Sequence, residues 1–128
     1  MRRVLIVDDE KDFARSIVKI LVHSGFEADY VTSGHECLER LQGGFRGLIL
    51  MDIDMPGING WETIAEIIAR GFSANVIVCM LTGCGDPDPG MDKLKEYVLD
   101  YITKPVDADF LVNTVRQYLD YLKPSATA

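Results

Sequence analysis

The chain has 128 residues, of which 48% are hydrophobic and 26% are charged, so it has the size and composition of one globular domain. Its formal net charge of −7 argues against direct binding to nucleic acid or to an anionic membrane surface. There is no signal-peptide pattern, no apolar run near the roughly 18 residues of a membrane span, and no metal-type spacing among the cysteines, so a cytoplasmic protein with reduced thiols is expected.

Short apolar runs alternate with amphipathic segments along the chain, as in parallel strands that are separated by helices. The five predicted strands cover residues 4–7, 28–31, 48–51, 76–81 and 101–103. Strands that are joined by helices pair in parallel through right-handed crossovers. The sequence therefore predicts an open α/β sheet with helices on both faces.

The helices are predicted from apolar residues at helical spacing and from capping residues. The first helix has one face formed by Phe13, Ile17, Ile20, Leu21 and Ser24, and it ends at Gly25. Ser33 and Glu36 have the spacing of a capping box at the start of a second helix, which residues 43–44 stop. A turn over residues 56–60 precedes a third helix with the buried stripe Ile64, Ile67 and Ile68.

Two further helices are predicted in the last third of the chain. Asp88 and Pro89 have the residue types of a helix start, and this fourth helix is predicted to run to about Val98. Asp107 caps a fifth helix, whose apolar residues repeat from 111 to 122. We therefore predict one domain over residues 1–122, followed by a short tail, or the start of a linker, over residues 123–128.

Acidic residues follow two of the predicted strands, Asp8 and Asp9 after the first and Asp52 and Asp54 after the third. Ligands of such sheets bind where the carboxyl ends of the strands meet, so these carboxylates should converge there. Two like charges about 4 Å apart repel by roughly 4 kcal/mol at an effective dielectric near 20, so a cation is required, and Lys104 is a resident one. The pattern indicates a phosphoryl-accepting carboxylate that works with a divalent metal.

Four motifs in register resemble the receiver domain of two-component response regulators. They are residues 8–9, residues 51–57 with Gly60, residues 81–83 and residues 101–105. Thr82 follows Asp52 by 30 residues and Lys104 follows it by 52, which is similar to the spacing in that family. The resemblance covers nearly the whole chain. It implies a three-layer, flavodoxin-like (βα)5 fold with a five-stranded parallel sheet in the order 2-1-3-4-5.

The resemblance also implies the roles of individual residues. Asp52 would be the nucleophile that becomes an aspartyl phosphate, with Mg²⁺ as the cofactor and Mn²⁺ as a substitute. The implied metal ligands are Asp9, Asp52, Asp8 through a water molecule, and the backbone carbonyl of Asp54. Lys104, the Thr82 hydroxyl and the Gly83 backbone N–H would contact the phosphoryl oxygens. The Lys104-Pro105 bond is implied to be cis.

Switching and tuning residues follow from the same resemblance. Movement of Thr82 toward the phosphoryl group would let the ring of Tyr101 turn inward. Asp54 and Cys84 occupy positions two residues after Asp52 and Thr82, from which side chains in similar proteins influence how water reaches the aspartyl phosphate.

The implied function is a phosphorylation-dependent signalling switch and not a turnover enzyme. The phosphodonor would be a sensor histidine kinase or a phosphotransfer protein. A downstream target or dimer partner would bind the face of the fourth helix, fifth strand and fifth helix, where residues 86–90 and 97–100 depart from the family pattern. Whether the chain is a single-domain regulator or part of a longer protein stays open.

Several alternatives compete with these roles. Residues 52–54 also resemble the Asp-x-Asp motif of haloacid-dehalogenase-type phosphatases, in which Asp54 would be the general acid, although that motif usually follows a first strand. An inert scaffold of the same fold is a third reading. Asp8 and Asp9 could be simple helix caps, Trp61 is expected to pack in the core, and His23 and His35 are expected to be surface residues.

Overall fold

The computed structural model describes residues 3–83, 94 and 96–122 of the chain. Its strands are β1 (Arg3–Val7), β2 (Glu27–Val31), β3 (Gly47–Asp52), β4 (Val76–Thr82) and β5 (Val98–Thr103). Its α-helices in the described ranges are α1 (Lys11–His23), α2 (Gly34–Gln42), α3 (Gly60–Ala69) and α4 (Ala108–Leu119). In the described ranges, short 3-10 helices cover Ser73–Asn75 and Asp120–Leu122, among others.

The five strands form one parallel sheet in the order β2-β1-β3-β4-β5. Both the predicted sheet and the strand order implied by the family resemblance are confirmed. β3 is the central strand, and every one of its residues is buried. A strand that is covered on both faces reads as a continuous apolar run, which is why β3 could be recognised from its sequence.

The core lies on both faces of this sheet, so the molecule has three layers. Alternate residues of β3 point to opposite faces: Ile49 and Met51 pack toward α2 and α3, while Leu48 and Leu50 pack toward α1 and α4. The sheet is thereby held between two layers of helices, and its carboxyl edge stays available for polar side chains.

The start of β5 differs from the prediction. The sequence predicts that a helix runs to about Val98, but Val98 pairs with Val78 of β4 as the first residue of a strand that extends to Thr103. The pairing contains an irregularity between Val78 and Cys79. Hydrogen bonding to a neighbouring strand, which helix periodicity cannot reveal, decides the conformation here. The predicted helix start at residues 88–89 lies outside the described residues, as does the tail over residues 123–128.

Capping also differs in detail from the prediction. Ser33 caps α2 by accepting the Glu36 N–H at 3.1 Å, but the Glu36 carboxylate accepts from Thr32 and leaves the predicted box half formed. A reciprocal capping box forms instead between Asn59 and Glu62 at the start of α3, in the segment predicted only as a turn. The helix α4 is the predicted fifth helix. At its start, Asp107 accepts the Phe110 N–H at 2.9 Å, as predicted.

The start of α3 packs against the end of β3. A Cβ atom at Gly60 would lie 2.6 Å from the backbone oxygen of Asp52, so only glycine permits this approach. The Gly60 N–H donates to the Ile53 carbonyl at 2.9 Å and fixes the loop between the two elements. Among the described residues, no helix is both long and apolar enough to cross a membrane.

Candidate functional site: an acidic edge with one lysine

The polar side chains predicted to converge do lie at the carboxyl edge of the sheet. Asp8 and Asp9 follow β1, Asp52 ends β3, Thr82 ends β4 and Lys104 follows β5. The Lys104 N–H donates to the Thr82 carbonyl at 2.9 Å, and the Lys104-Pro105 peptide bond is cis, as the resemblance implied.

Three carboxylates form a group that suits a metal ion. One oxygen from each of Asp8, Asp9 and Asp52 lies within 4.8 Å of the other two. Asp8 is fully buried, Asp52 is 7% exposed, and Asp9 is exposed to solvent. Hard oxygen donors of this kind bind Mg²⁺, Mn²⁺ or Ca²⁺ in preference to softer metals. The exposed side chain of Asp54 is not part of this group.

Lys104 lies over the carboxylates with unequal distances to them. Its Nζ atom is 2.8 Å from Asp8 Oδ2, 3.5 Å from Glu10 Oε1 and 3.8 Å from Asp52 Oδ1. Burial by itself lowers the pKa of Lys104, but the hydrogen bond to Asp8 and the surrounding negative charges outweigh burial and raise the pKa. The side chain therefore carries a positive charge at neutral pH.

The pKa of the Asp52 carboxyl group is shifted well above its ordinary value. Burial and the charge of Asp8 raise the pKa of Asp52 to about 7, and the charge of Lys104 only partly opposes them. In the absence of a further cation, much of Asp52 is therefore protonated near neutral pH. A carboxyl group in this state needs added positive charge before it can act as a nucleophile.

Thr82 and Gly83 lie at the end of β4 beside these charged groups. Thr82 is 4% exposed. Gly83 is exposed, and beyond its chain neighbours no described residue lies within 4 Å of a Cβ atom built on it. Cys84 lies outside the described residues.

Tyr101 of β5 packs against Trp61 of α3 in the core layer on one face of the sheet. The ring centroids of Trp61 and Tyr101 are 6.3 Å apart, and the ring planes are tilted by 46°. Trp61 is only 1% exposed, which confirms the expected packing role, whereas Tyr101 is half-buried. His23 and His35 are exposed, as expected.

The sequence prediction missed two neighbours of Lys104. Glu10 supplies the carboxylate at 3.5 Å, and the Phe13 ring centroid lies 4.4 Å from the Lys104 Nζ atom. Glu10 directly continues the Asp8-Asp9 pair, which was an available signal. The sequence predicts Phe13 only as part of the apolar face of the first helix. Nothing local in the sequence indicates that its ring faces a lysine that follows β5.

The sheet order β2-β1-β3-β4-β5, with three carboxylates and a lysine at the carboxyl ends of its strands, agrees with the receiver-type fold that the resemblance implies. Residues 4–116 match the family model described as the response regulator receiver domain. The chain belongs to this family, which confirms the resemblance and places the protein in two-component signal transduction.

Solved structures and curated relatives agree with this assignment. A CheY-like receiver domain protein from Methanospirillum hungatei JF-1 is 37% identical, with a TM-score of 0.90 over 94% of this chain and 96% of that chain. TrrA from Thermotoga maritima, solved in complex with Mg²⁺ and BeF, is 29% identical, with a TM-score of 0.78 over 93% of this chain and 100% of that chain.

Among curated proteins, the transcriptional regulatory protein PcoR from Escherichia coli is 34% identical over 122 residues, which are 93% of this chain and 52% of PcoR. The transcriptional regulatory protein DctD from Rhizobium meliloti is 30% identical over 114 residues, which are 89% of this chain and 24% of DctD. The chain thus spans about half or less of the length of these two relatives.

Proposed function

We propose that the chain is a phosphorylation-dependent switch in which Asp52 accepts a phosphoryl group from a phosphohistidine. The observation that carries the proposal is the position of the Lys104 Nζ atom, 2.8 Å from Asp8 and 3.8 Å from Asp52, over carboxylates that lie within 4.8 Å of one another. Such an arrangement can stabilise the negative charge that a transferring phosphoryl group brings to the site.

In the transfer, an oxygen of ionised Asp52 attacks the phosphorus atom. The bond between phosphorus and the donor histidine breaks, and its electron pair stays on the imidazole nitrogen. Lys104 would exchange its bond to Asp8 for one to a phosphoryl oxygen. Thr82 and the backbone N–H of Gly83 would donate to the other oxygens.

The group of three carboxylates formed by Asp8, Asp9 and Asp52 fits a magnesium ion because it presents hard oxygen atoms from three separate side chains. Asp9 and Asp52 would bind it directly, Asp8 through water, and the backbone carbonyl of Asp54 would complete the protein ligands, with Mn²⁺ able to substitute. When bound, the ion would favour ionised Asp52 and neutralise charge on the phosphoryl group. The complex of TrrA with Mg²⁺ and BeF supports this choice of metal.

The conformational response would begin at Thr82 and Tyr101. Movement of Thr82 toward the phosphoryl oxygens would free space for the Tyr101 ring, which already packs near buried Trp61. The change would shift the population between two states of the face formed by the predicted fourth helix, β5 and α4. Asp54 and Cys84 would tune how long the phosphorylated state lasts.

The partners would be a sensor histidine kinase or a phosphotransfer protein in the cytoplasm, and a downstream target or dimer partner at the responding face. Residues 1–122 would act as one receiver unit, with residues 123–128 as a tail. PcoR and DctD are transcriptional regulatory proteins, but a receiver with a net charge of −7 would not itself contact nucleic acid or a membrane.

A signalling switch is favoured over a turnover phosphatase. The phosphatase reading needs Asp54 as a general acid beside Asp52. The Asp54 side chain is exposed and lies outside the carboxylate group. Membership of the receiver family also favours one phosphorylation per molecule over continuous turnover.

The test is phosphorylation by acetyl phosphate, followed by intact-protein mass spectrometry. Wild-type protein should gain one phosphoryl group only with Mg²⁺ or Mn²⁺, Asp52→Asn should gain none, and Asp9→Ala should gain it more slowly. Asp12→Asn is the matched control, because Asp12 is an exposed acidic residue in the first turn of α1 and lies outside the carboxylate group. Labelling of Asp52→Asn at the wild-type level would refute the proposal.

A further inference from the structure

The Lys104 ammonium is enclosed by groups from three parts of the fold. Asp8 follows β1, Asp52 ends β3, and both supply carboxylate oxygens within 4 Å of Nζ. From α1, the ring of Phe13 lies with its centroid 4.4 Å from the same nitrogen. The Lys104 side chain is 17% exposed, so the ring and the carboxylates together leave it little contact with water.

A cation near the face of an aromatic ring is attracted by the ring quadrupole. A ring differs from a carboxylate in one respect that matters at this site. The ring stabilises the positive charge without accepting a conventional hydrogen bond, so the ammonium protons stay available for oxygen atoms.

Glu10 is the contrasting neighbour. Its Oε1 atom lies 3.5 Å from the Lys104 Nζ atom, and its side chain is 69% exposed. A carboxylate in this position competes with phosphoryl oxygens for the ammonium protons, whereas Phe13 does not. Phe13 is also half-buried against the core formed with α1 and α4, so its ring is supported from behind.

We propose that Phe13 is a positioning residue for phosphoryl transfer. Its ring keeps the Lys104 ammonium over the three carboxylates and leaves the ammonium protons free for the phosphoryl oxygens. The inference rests on the proposed function of Asp52 and Lys104. It adds a role for a residue of α1 that contacts the lysine and not the reacting atoms.

The first measurement tests the position of Lys104 without any phosphoryl chemistry. In the metal-free protein, a lysine over a ring face should show upfield NMR shifts of its ε-methylene protons. Phe13→Leu keeps an apolar side chain but removes the ring, so this shift should disappear. Phe13→Trp keeps a ring and should retain an upfield shift. An unshifted Lys104 signal in the wild-type protein would overturn the inference.

The second measurement is the rate of Asp52 labelling by acetyl phosphate at saturating Mg²⁺. Phe13→Leu should slow labelling by about 3- to 30-fold, as the loss of a cation–π contact implies, and Phe13→Trp should restore most of the rate. Val18→Ala is the matched control, because Val18 is a half-buried residue of the same helix that packs on the same core. It should label at the wild-type rate.

The outcomes separate the inference from the proposed function. If the wild-type protein is labelled and Phe13→Leu is labelled at the same rate, the positioning role is refuted while the acceptor role of Asp52 stands. Equal slowing by Phe13→Leu and Val18→Ala would also refute it, because general loss of packing would then explain the effect. If the wild-type protein is not labelled, the proposed function fails, and with it the inference.

Discussion

The Lys104 ammonium donates a hydrogen bond to Asp8 but makes only a longer ion pair with Asp52: its Nζ atom lies 2.8 Å from Asp8 Oδ2 and 3.8 Å from Asp52 Oδ1. Asp8 is fully buried, so the pair is shielded from solvent screening. The lysine is therefore held beside the proposed acceptor, close enough to reach a phosphoryl group there, while Asp52 remains an incompletely neutralised buried carboxyl group.

The first prediction concerns the stability of the metal-free protein. Asp52→Asn removes a buried carboxyl group whose negative charge Lys104 neutralises only in part. The substitution should raise the free energy of unfolding by about 1–2 kcal/mol. Asp9→Ala should raise it less, because Asp9 is exposed. Saturating Mg²⁺ should shrink both gains, since it stabilises only the intact site.

Thermal melts of the metal-free proteins measure these changes, and Asp8→Asn is the informative contrast. It removes a carboxylate of the same group but also removes the buried negative charge that pairs with Lys104 at 2.8 Å, so it should not stabilise the protein. A loss of stability in Asp52→Asn would show that this carboxylate has a structural role instead.

The second prediction is a pH dependence that belongs to Asp52. Its pKa is about 7 in the folded protein, above the value of about 3.9 expected for an unfolded chain. Between these values the folded state binds more protons than the unfolded state, so this group makes stability fall as the pH rises from about 4 to about 7.

Urea denaturation of wild-type and Asp52→Asn proteins in metal-free buffer measures this effect. The two proteins should have similar stability near pH 4, and Asp52→Asn should be the more stable at pH 7.5. A difference that does not change with pH would contradict the linkage.

The third prediction concerns the lifetime of the phosphorylated state. The exposed Asp54 carboxylate could orient a water molecule for attack on the aspartyl phosphate. Asp54→Ala or Asp54→Arg should lengthen the phosphorylated half-life severalfold in a timed dephosphorylation assay. Affinity for Mg²⁺ should change little, because only the backbone carbonyl at this position would bind the metal. Unchanged or faster decay would reject the role.

The fourth prediction follows the signal from Tyr101 into α4. The Asp100 carboxylate accepts the Tyr101 N–H and the Tyr118 hydroxyl, each at 2.8 Å, and so links β5 to the last helix. The hydrogen bond to Asp100, with burial, raises the pKa of Tyr118 to about 12. Phosphorylation should alter the fluorescence of Trp61, the single tryptophan, and should shift NMR signals in α4.

Tyr118→Phe should leave the fluorescence response intact but reduce the NMR shifts in α4, at a stability cost of about 1 kcal/mol. Tyr30→Phe is the matched control. Tyr30 is a half-buried tyrosine on β2, which is the outermost strand on the side of the sheet away from β5. If the shifts stay confined to the carboxylate group in the wild-type protein, the coupling is wrong.

Much of the fold and the acidic edge could be predicted from local sequence. The buried strands read as continuous apolar runs, and helices between them require parallel pairing. Parallel strands bring their carboxyl ends to one edge, so the sequence alone was enough to place Asp8, Asp9, Asp52 and Lys104 together. The strand order and the individual roles came instead from four motifs in register.

Tertiary structure decided the features that depend on long-range geometry. Val98 joins β5 because β4 offers it a hydrogen-bonding partner. Lys104 bonds to Asp8, 96 residues away, in preference to Glu10 or Asp52, and it lies near the ring of Phe13. Sequence spacing can predict that side chains lie at the same edge of the sheet, but the directions in which they point depend on how separate helices and strands pack.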